Sequence, residues 1–198
     1  VSAPVVLASR SATRRAVLQG AGVPHEAVGS GVDEEAAKAE LLDQGADPRA
    51  VAAALAERKA LAVSAARPEL VIGADQTLEF EGRLYDKAES LVEARARLQM
   101  LRGKPHQLHS AVAVAQGGAV VWRETESATL TMRDFSAGFL EAYLAVEGEA
   151  ALGSVGCYRL EGPGVQLFSQ VDGDYFTILG LPLMGLLDLL RARGVLRP

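Results

Sequence analysis

Two hydrophobic rhythms share this chain: short, nearly continuous apolar runs, and longer stretches with apolar positions at helical spacing. Val5 to Leu7 reads as a strand. It runs into a hydroxyl-rich turn, Ser9-Arg10-Ser11-Ala12-Thr13, and then a helix carrying Val17, Leu18 and Ala21. Gly20-Ala21-Gly22-Val23-Pro24 stops that helix. Glu26 to Val28 predicts a short strand. Asp33-Glu34-Glu35 opens an Ala/Leu-rich helix to about Leu42, and Asp47 with Pro48 opens another to about Ala65. In the latter, Val51, Leu55, Arg58 and Ala62 mark the predicted apolar face, with Lys59 on its edge.

Leu70 to Ala74 is apolar throughout. It predicts a strand buried on both faces and ending at Asp75. Thr77 to Phe80 and Arg83 to Tyr85 flank Glu81-Gly82 as a hairpin. Ser90-x-x-Glu93 matches a capping box and starts a helix to Leu101, stopped by Gly103. His106 to Ala115 and Val120 to Met132 read as two long strands around Gln116-Gly117-Gly118. Ser136 starts a helix with Phe139, Leu140, Tyr143 and Leu144. Residues 153–164 are glycine-rich and irregular, Val165 to Val171 returns as a strand, and Pro182 to Arg193 closes the chain as a helix. Strands alternating with helices place the chain in the α/β class. Its 198 residues suggest one domain with two lobes, and no repeat or linker divides it.

Composition narrows the field. A formal net charge of -5 and 5% aromatic residues, with no basic-aromatic stripe, argue against a nucleic-acid-binding module. The single cysteine, Cys157, excludes an intrachain disulfide and a cysteine zinc cluster. No apolar run reaches membrane-spanning length and the first residues lack a signal-peptide pattern, so a cytoplasmic location without membrane contact is expected.

The candidate chemistry lies at element ends. Strand, hydroxyl turn and helix start suit a phosphate, because backbone N–H groups are free there and the helix dipole favours an anion. Arg14 adds a planar fork of donors; a capped helix with solvated arginines is the plainer alternative. Asp75 is the strongest single candidate, since ligands gather at the carboxyl ends of strands in open α/β sheets. Asp33 follows Val32 at a strand-to-helix junction and, paired with Asp75, would offer hard oxygen ligands to Mg²⁺ or Mn²⁺. A solvated helix start is the plainer reading of Glu34 and Glu35. Lys59 and Lys87, with Arg14, would neutralise a triphosphate. Glu161 stands between two glycine-rich stretches, where a carboxylate would contact a base or a metal. His25, His106 and His109 show no zinc spacing, and no P-loop motif is present.

Taken in order, these pieces resemble the Maf family of nucleoside triphosphate pyrophosphatases. The resemblance rests on Leu7-Ala8-Ser9 with Arg14-Arg15, Val32-Asp33-Glu34, Ala56-Glu57-Arg58-Lys59-Ala60, Ile72-Gly73-Ala74-Asp75, Asp86-Lys87-Ala88, Glu161-Gly162, and Gly173-Asp174-Tyr175 leading to Leu179-Gly180-Leu181-Pro182-Leu183. Each fragment alone is weak; the ordered set is specific and covers nearly the whole chain. It implies a mixed, elongated central sheet flanked by helices, of the inosine-triphosphatase-like kind, with a substrate cleft between two lobes. It also implies metal-assisted hydrolysis of a nucleoside triphosphate to monophosphate and pyrophosphate, and for many members a homodimer. Asp75 corresponds to the family's catalytic carboxylate, Arg14, Lys59 and Lys87 to its phosphate-binding cations, and Ser9 and Asp33 to other cleft positions.

The chain departs from the common pattern in informative places. Its first turn is one residue longer than the usual Ser-Pro-Arg-Arg spacing, and Asp86-Lys87-Ala88 replaces the usual Gly-Lys-Pro. The longer turn, Asp75-Gln76, and Glu161-Gly162 with Leu167-Phe168 look like the branch acting on 7-methyl-GTP; Gly173-Asp174-Tyr175 looks like the branch acting on dTTP and UTP. Gln76 and Glu161 are therefore expected to read the base, and a house-cleaning role against noncanonical nucleotides follows from the resemblance. Two other readings stay open: a dTTP, UTP or CTP pyrophosphatase on the same scaffold, and a non-catalytic nucleotide-binding regulator of cell division. A carboxylate beside a polyanion argues against the second, because it repels phosphate unless a metal lies between.

Overall fold

A computed structural model describes residues 5–198. In chain order the elements are β1 (Val5–Ala8), α1 (Ala12–Gly20), β2 (His25–Val28), α2 (Glu34–Asp43), α3 (Pro48–Ser64), β3 (Val71–Phe80), β4 (Arg83–Tyr85), α4 (Leu91–Leu101), β5 (Pro105–Gln116), β6 (Ala119–Met132), α5 (Ala137–Glu147), β7 (Phe168–Asp172), α6 (Tyr175–Ile178) and α7 (Met184–Ala192). Two 3₁₀ segments, Gly148–Gly153 and Pro163–Leu167, lie between α5 and β7. Local chemistry sets many helix starts. Ser11, Asp33, Asp47, Ser90 and Ser136 each accept the backbone N–H three residues on, and Pro48 fits the first turn of α3. The Glu93 side chain reaches back to the N–H of Glu89, one residue before the Ser90 cap.

The strands form one mixed sheet, in the order β2-β1-β3-β5-β6-β7, with β4 also on β3. β1 runs parallel to both β2 and β3; the other pairings are antiparallel. This is the α/β fold with a mixed central sheet that the sequence predicts. One edge of β3 is shared unevenly. β1 pairs only with Val71 and Ile72, and β4 only with Leu78 to Phe80. Among the described residues, Gly73 to Thr77 have no strand on that side, and the gap opens a cleft.

β3 alternates between two environments. Gly73, Asp75 and Thr77 face α3: a Cβ on Gly73 would meet the Ala56 carbonyl at 2.2 Å, and Thr77 donates to the Pro48 carbonyl at 2.8 Å. The facing surfaces are alanines, with Ala52, Ala56 and Ala60 on α3 against Ala111, Ala113 and Ala115 on β5. On the opposite face Ile72 and Ala74 join a core built with α1 and α7, whereas Leu78 and Phe80 join a second core built with α4 and α5. β5 repeats this division, with Val112 and Val114 in the first core and Leu108 in the second. The polar pair Gln76 and Ser110, hydrogen-bonded at 2.9 Å, marks the join.

Several expectations are corrected. Asp75 is not at a strand end. β3 continues to Phe80 because β5 pairs with it from Val71 to Glu79 and because Glu81 and Gly82, both at positive φ, turn the chain directly into β4. On α3 the buried side is Val51, Ala52, Leu55, Ala56, Lys59 and Ala60; Ala62 is exposed and Arg58 turns out to pair with Glu40. β7 begins at Phe168 rather than Val165. Pro163 brings no ladder N–H, and Gly164 lies so close to the Arg159 backbone that a Cβ would stand 2.6 Å from its carbonyl oxygen. The short helix α6, capped by Asp174, precedes the closing helix, which begins at Met184.

Candidate active site

The gap beside β3 leads into an open cleft of about 1470 Å³, lined by Ser9, Arg14, Asp33, Lys59, Asp75, Gln76, Lys87 and Glu161 among others. All eight candidate residues thus face one space, although they come from six separate segments. Its floor is the junction of β3 with α3. The missing side chain at Gly73 and the alanine stripe let α3 lie close to the sheet. Lys59 is thereby carried over Asp75, with Nζ 2.7 Å from Oδ1. Both side chains are more than nine-tenths buried.

The same ammonium also lies 2.9 Å from Glu34 Oε2. The carboxylate joining the Lys59–Asp75 pair is therefore Glu34, which the sequence assigned to a solvated helix start. Asp33 lines the cleft, but its Oδ1 accepts the Ala36 N–H as the cap of α2. The signal was present in register alone: with the cap at Asp33, the following residue begins the helix and turns towards α3. Asp75 Oδ2 is buried and has no hydrogen-bond partner among the described residues. A buried anionic oxygen left unpaired is costly, so the floor suits a cation or a proton donor there.

Arg14 stands on the opposite wall at the start of α1. Its Nε donates to the Gly180 carbonyl at 2.8 Å and its Nη1 to Ser9 Oγ at 3.4 Å. Ser9 Oγ also accepts the Ser11 N–H, so the hydroxyl turn is internally bonded. Burial lowers the Arg14 pKa from its ordinary value, while Asp75 and Glu34 pull it upward. Lys87 enters from the loop after β4. Desolvation lowers its pKa, the Arg14 and Lys59 charges act in the same direction, and Glu34 and Asp75 oppose them. Three cations and two carboxylates therefore share one electrostatic field.

The base-reading expectation for Gln76 meets a structural competitor. Its Nε2 is directed at Ser110 Oγ, the Thr177 carbonyl at 3.2 Å and the Ile178 carbonyl at 3.0 Å. Ser110, absent from the sequence candidates, donates to the Thr177 carbonyl at 2.6 Å. Gln76, Ser110 and Arg14 thus collect the carbonyls at the end of α6 and hold the 177–180 segment against the cleft. Only the carbonyl end of Gln76 is left for a ligand. Glu161 is exposed on the glycine-rich rim. Outside the cleft, His106 bonds Tyr158 and His109 bonds Ser127 and Glu79. No helix among the described residues is long and apolar enough to cross a membrane.

Comparison with known proteins gives the family. Residues 4–193 match the family model described as Maf-like protein. A nucleoside triphosphate pyrophosphatase of Caulobacter vibrioides is 61% identical over 193 residues, covering 98% of this chain and 97% of that protein. A nucleoside triphosphate pyrophosphatase of Granulibacter bethesdensis is 49% identical, covering 97% of this chain and 98% of that protein. A 7-methyl-GTP pyrophosphatase of Brucella abortus is 48% identical, covering 94% of each chain.

Proposed function

Since this chain belongs to the family of Maf-like proteins, we propose that it hydrolyses a nucleoside triphosphate to the monophosphate and pyrophosphate. The observation that carries the reading is the buried Asp75 carboxylate, one oxygen fixed by Lys59 and the other unpaired, in a cleft that also presents Arg14 and Lys87. Arg14, Lys59 and Lys87 neutralise the triphosphate and the departing pyrophosphate. Asp75 orients the attacking water at the α-phosphorus and accepts its proton. The P–O bond to the β-phosphate breaks, and its electron pair leaves with pyrophosphate.

A divalent cation, Mg²⁺ or Mn²⁺, belongs to the proposal. The unpaired Asp75 Oδ2 and the nearby Glu34 are hard oxygen donors of the type these ions select. Asp75 and Glu34 would hold it, with Asp33 beside them on the rim. When bound, the ion supplies charge neutralisation and a lowered pKa for water. The substrate proposed is a 7-methyl-GTP-like nucleotide. Glu161 on the rim would face the cationic base, and the similarity to the 7-methyl-GTP pyrophosphatase of Brucella abortus supports that choice. A cytoplasmic house-cleaning role and a homodimer remain part of the proposal on family grounds.

A panel of canonical and methylated nucleoside triphosphates, incubated with Mg²⁺ or Mn²⁺ and followed by phosphorus NMR, tests it. Monophosphate with pyrophosphate is expected, fastest for 7-methyl-GTP and abolished by chelation. Fastest turnover of dTTP, UTP or CTP would move the chain to the pyrimidine branch. Diphosphate with free phosphate, or no turnover, would overturn the reaction itself.

A further inference from the structure

Arg97 is not part of the cleft lining, yet it touches two of the segments that form it. It projects from α4, half-buried, and its Nη1 donates to the Asp86 carbonyl at 2.8 Å and to the Val155 carbonyl at 2.7 Å. Its guanidinium carbon lies 5.0 Å from the centre of the Tyr85 ring. One nitrogen thereby ties the segment carrying Lys87 to the glycine-rich segment at 153–156. Both segments line the cleft.

One further contact fixes the same loop: the Asp86 carboxylate pairs with Lys38 on α2. Lys87 itself makes no hydrogen bond or ion pair with another described residue. The backbone of 86–88 therefore sets where the Lys87 side chain is rooted on the cleft wall. Where this chain has Ala88 in place of the usual proline, ring stiffness is missing and hydrogen bonds hold the loop instead.

We propose that Arg97 is a positioning residue for triphosphate binding: by clamping the Asp86 and Val155 carbonyls it fixes where Lys87 meets the phosphates. The proposal rests on the pyrophosphatase reading for the identity of the bound group. A lysine at 97 lacks the planar guanidinium that lies over the Tyr85 ring while one of its nitrogens meets both carbonyls.

The test is a double-mutant cycle on the full chain, with inorganic tripolyphosphate as probe in titration calorimetry. Arg97→Gln and Lys87→Ala should each weaken binding about tenfold, the cost of one charge-assisted contact. The double variant should bind no more weakly than Lys87→Ala alone. With the hydrolysed nucleotide, Arg97→Gln should raise KM and lower kcat in the same proportion as Lys87→Ala does, because both act through one ammonium. Wild-type affinity in Arg97→Gln, or losses that multiply in the double variant, would overturn the proposal. If Arg97→Gln does not fold, Arg97→Lys carries the same cycle. A non-additive cycle in a chain that hydrolyses no nucleotide would keep the positioning role and remove the pyrophosphatase reading.

Discussion

Lys59 and Asp75 meet at 2.7 Å, from a helix and a strand whose packing leaves both side chains almost without solvent. A buried ion pair of this kind gains little net stability, because desolvation offsets attraction. Its value is placement: the lysine holds one carboxylate oxygen and leaves the other facing inward.

Asp75→Asn is expected to lower kcat by roughly 10²–10⁴-fold, the usual worth of a positioned proton acceptor. Nucleotide affinity should persist, because the three cations remain. Lys59→Met should destabilise the fold by about 3 kcal/mol, since it strands a buried carboxylate. Single-turnover kinetics, calorimetric titration and urea unfolding read these outcomes. Full turnover in Asp75→Asn would remove Asp75 from the chemistry.

Gly73→Ala tests the packing that sets this geometry. The new Cβ would stand 2.2 Å from the Ala56 carbonyl oxygen and 2.5 Å from the Ala60 nitrogen, both backbone atoms that cannot turn aside. Overpacking of this type costs about 3 kcal/mol or more, and α3 must move with Lys59 on it. A lower urea midpoint together with reduced kcat is expected. Unchanged stability would mean that α3 shifts freely on the sheet.

Gln76→Thr removes the amide that is directed at the carbonyls of Thr177 and Ile178. It should cost about 1–2 kcal/mol by loss of hydrogen bonds. It should also loosen the 177–180 segment that bonds Arg14, so KM for every nucleotide should rise alongside any change in base preference. Ratios of kcat/KM for 7-methyl-GTP and dTTP separate the effects. A pure switch of base with KM unchanged would identify Gln76 as a direct reader.

Acid should weaken the fold through His106. Burial lowers its imidazole pKa from 6.5 to about 4. Between those values the unfolded chain binds a proton that the folded chain does not. This contribution is complete above the unfolded pKa and falls as pH drops towards 4. Between pH 7 and pH 5 the loss should be about 2 kcal/mol. His106→Phe should show a pH slope shallower by that amount in urea unfolding. Equal slopes would assign the acid sensitivity elsewhere.

What the sequence disclosed was what it encodes locally. Ser11, Asp33, Asp47, Ser90 and Ser136 announce helices because a cap needs only three neighbouring residues. The ordered fragments around Ser9, Arg14, Lys59, Asp75 and Lys87 marked residues that the fold does bring to one cleft. Less legible were features decided by distant partners. β3 passes straight through Asp75 because β5 pairs with it residue by residue, and a single strand's pattern does not carry that information. Asp33 and Glu34 are neighbours with interchangeable chemistry; only the turn of α2 over α3 chooses which one reaches Lys59. Ser110 and Arg97 act through backbone carbonyls of remote segments, contacts with no local signature.

The alternation of β3 ties two unlike tasks to a single reading frame. Asp75 belongs to the face packed on α3, and Gln76 to the face where the two cores join. A one-residue deletion between Val71 and Asp75 would bring the amide to Lys59 and push the carboxylate into the apolar core at the place of Ala74, and an insertion would turn the carboxylate towards the carbonyls at the end of α6. Lineages of this chain should therefore vary in length at the Glu81-Gly82 turn, beyond the strand, while the spacing from Val71 to Gln76 stays fixed.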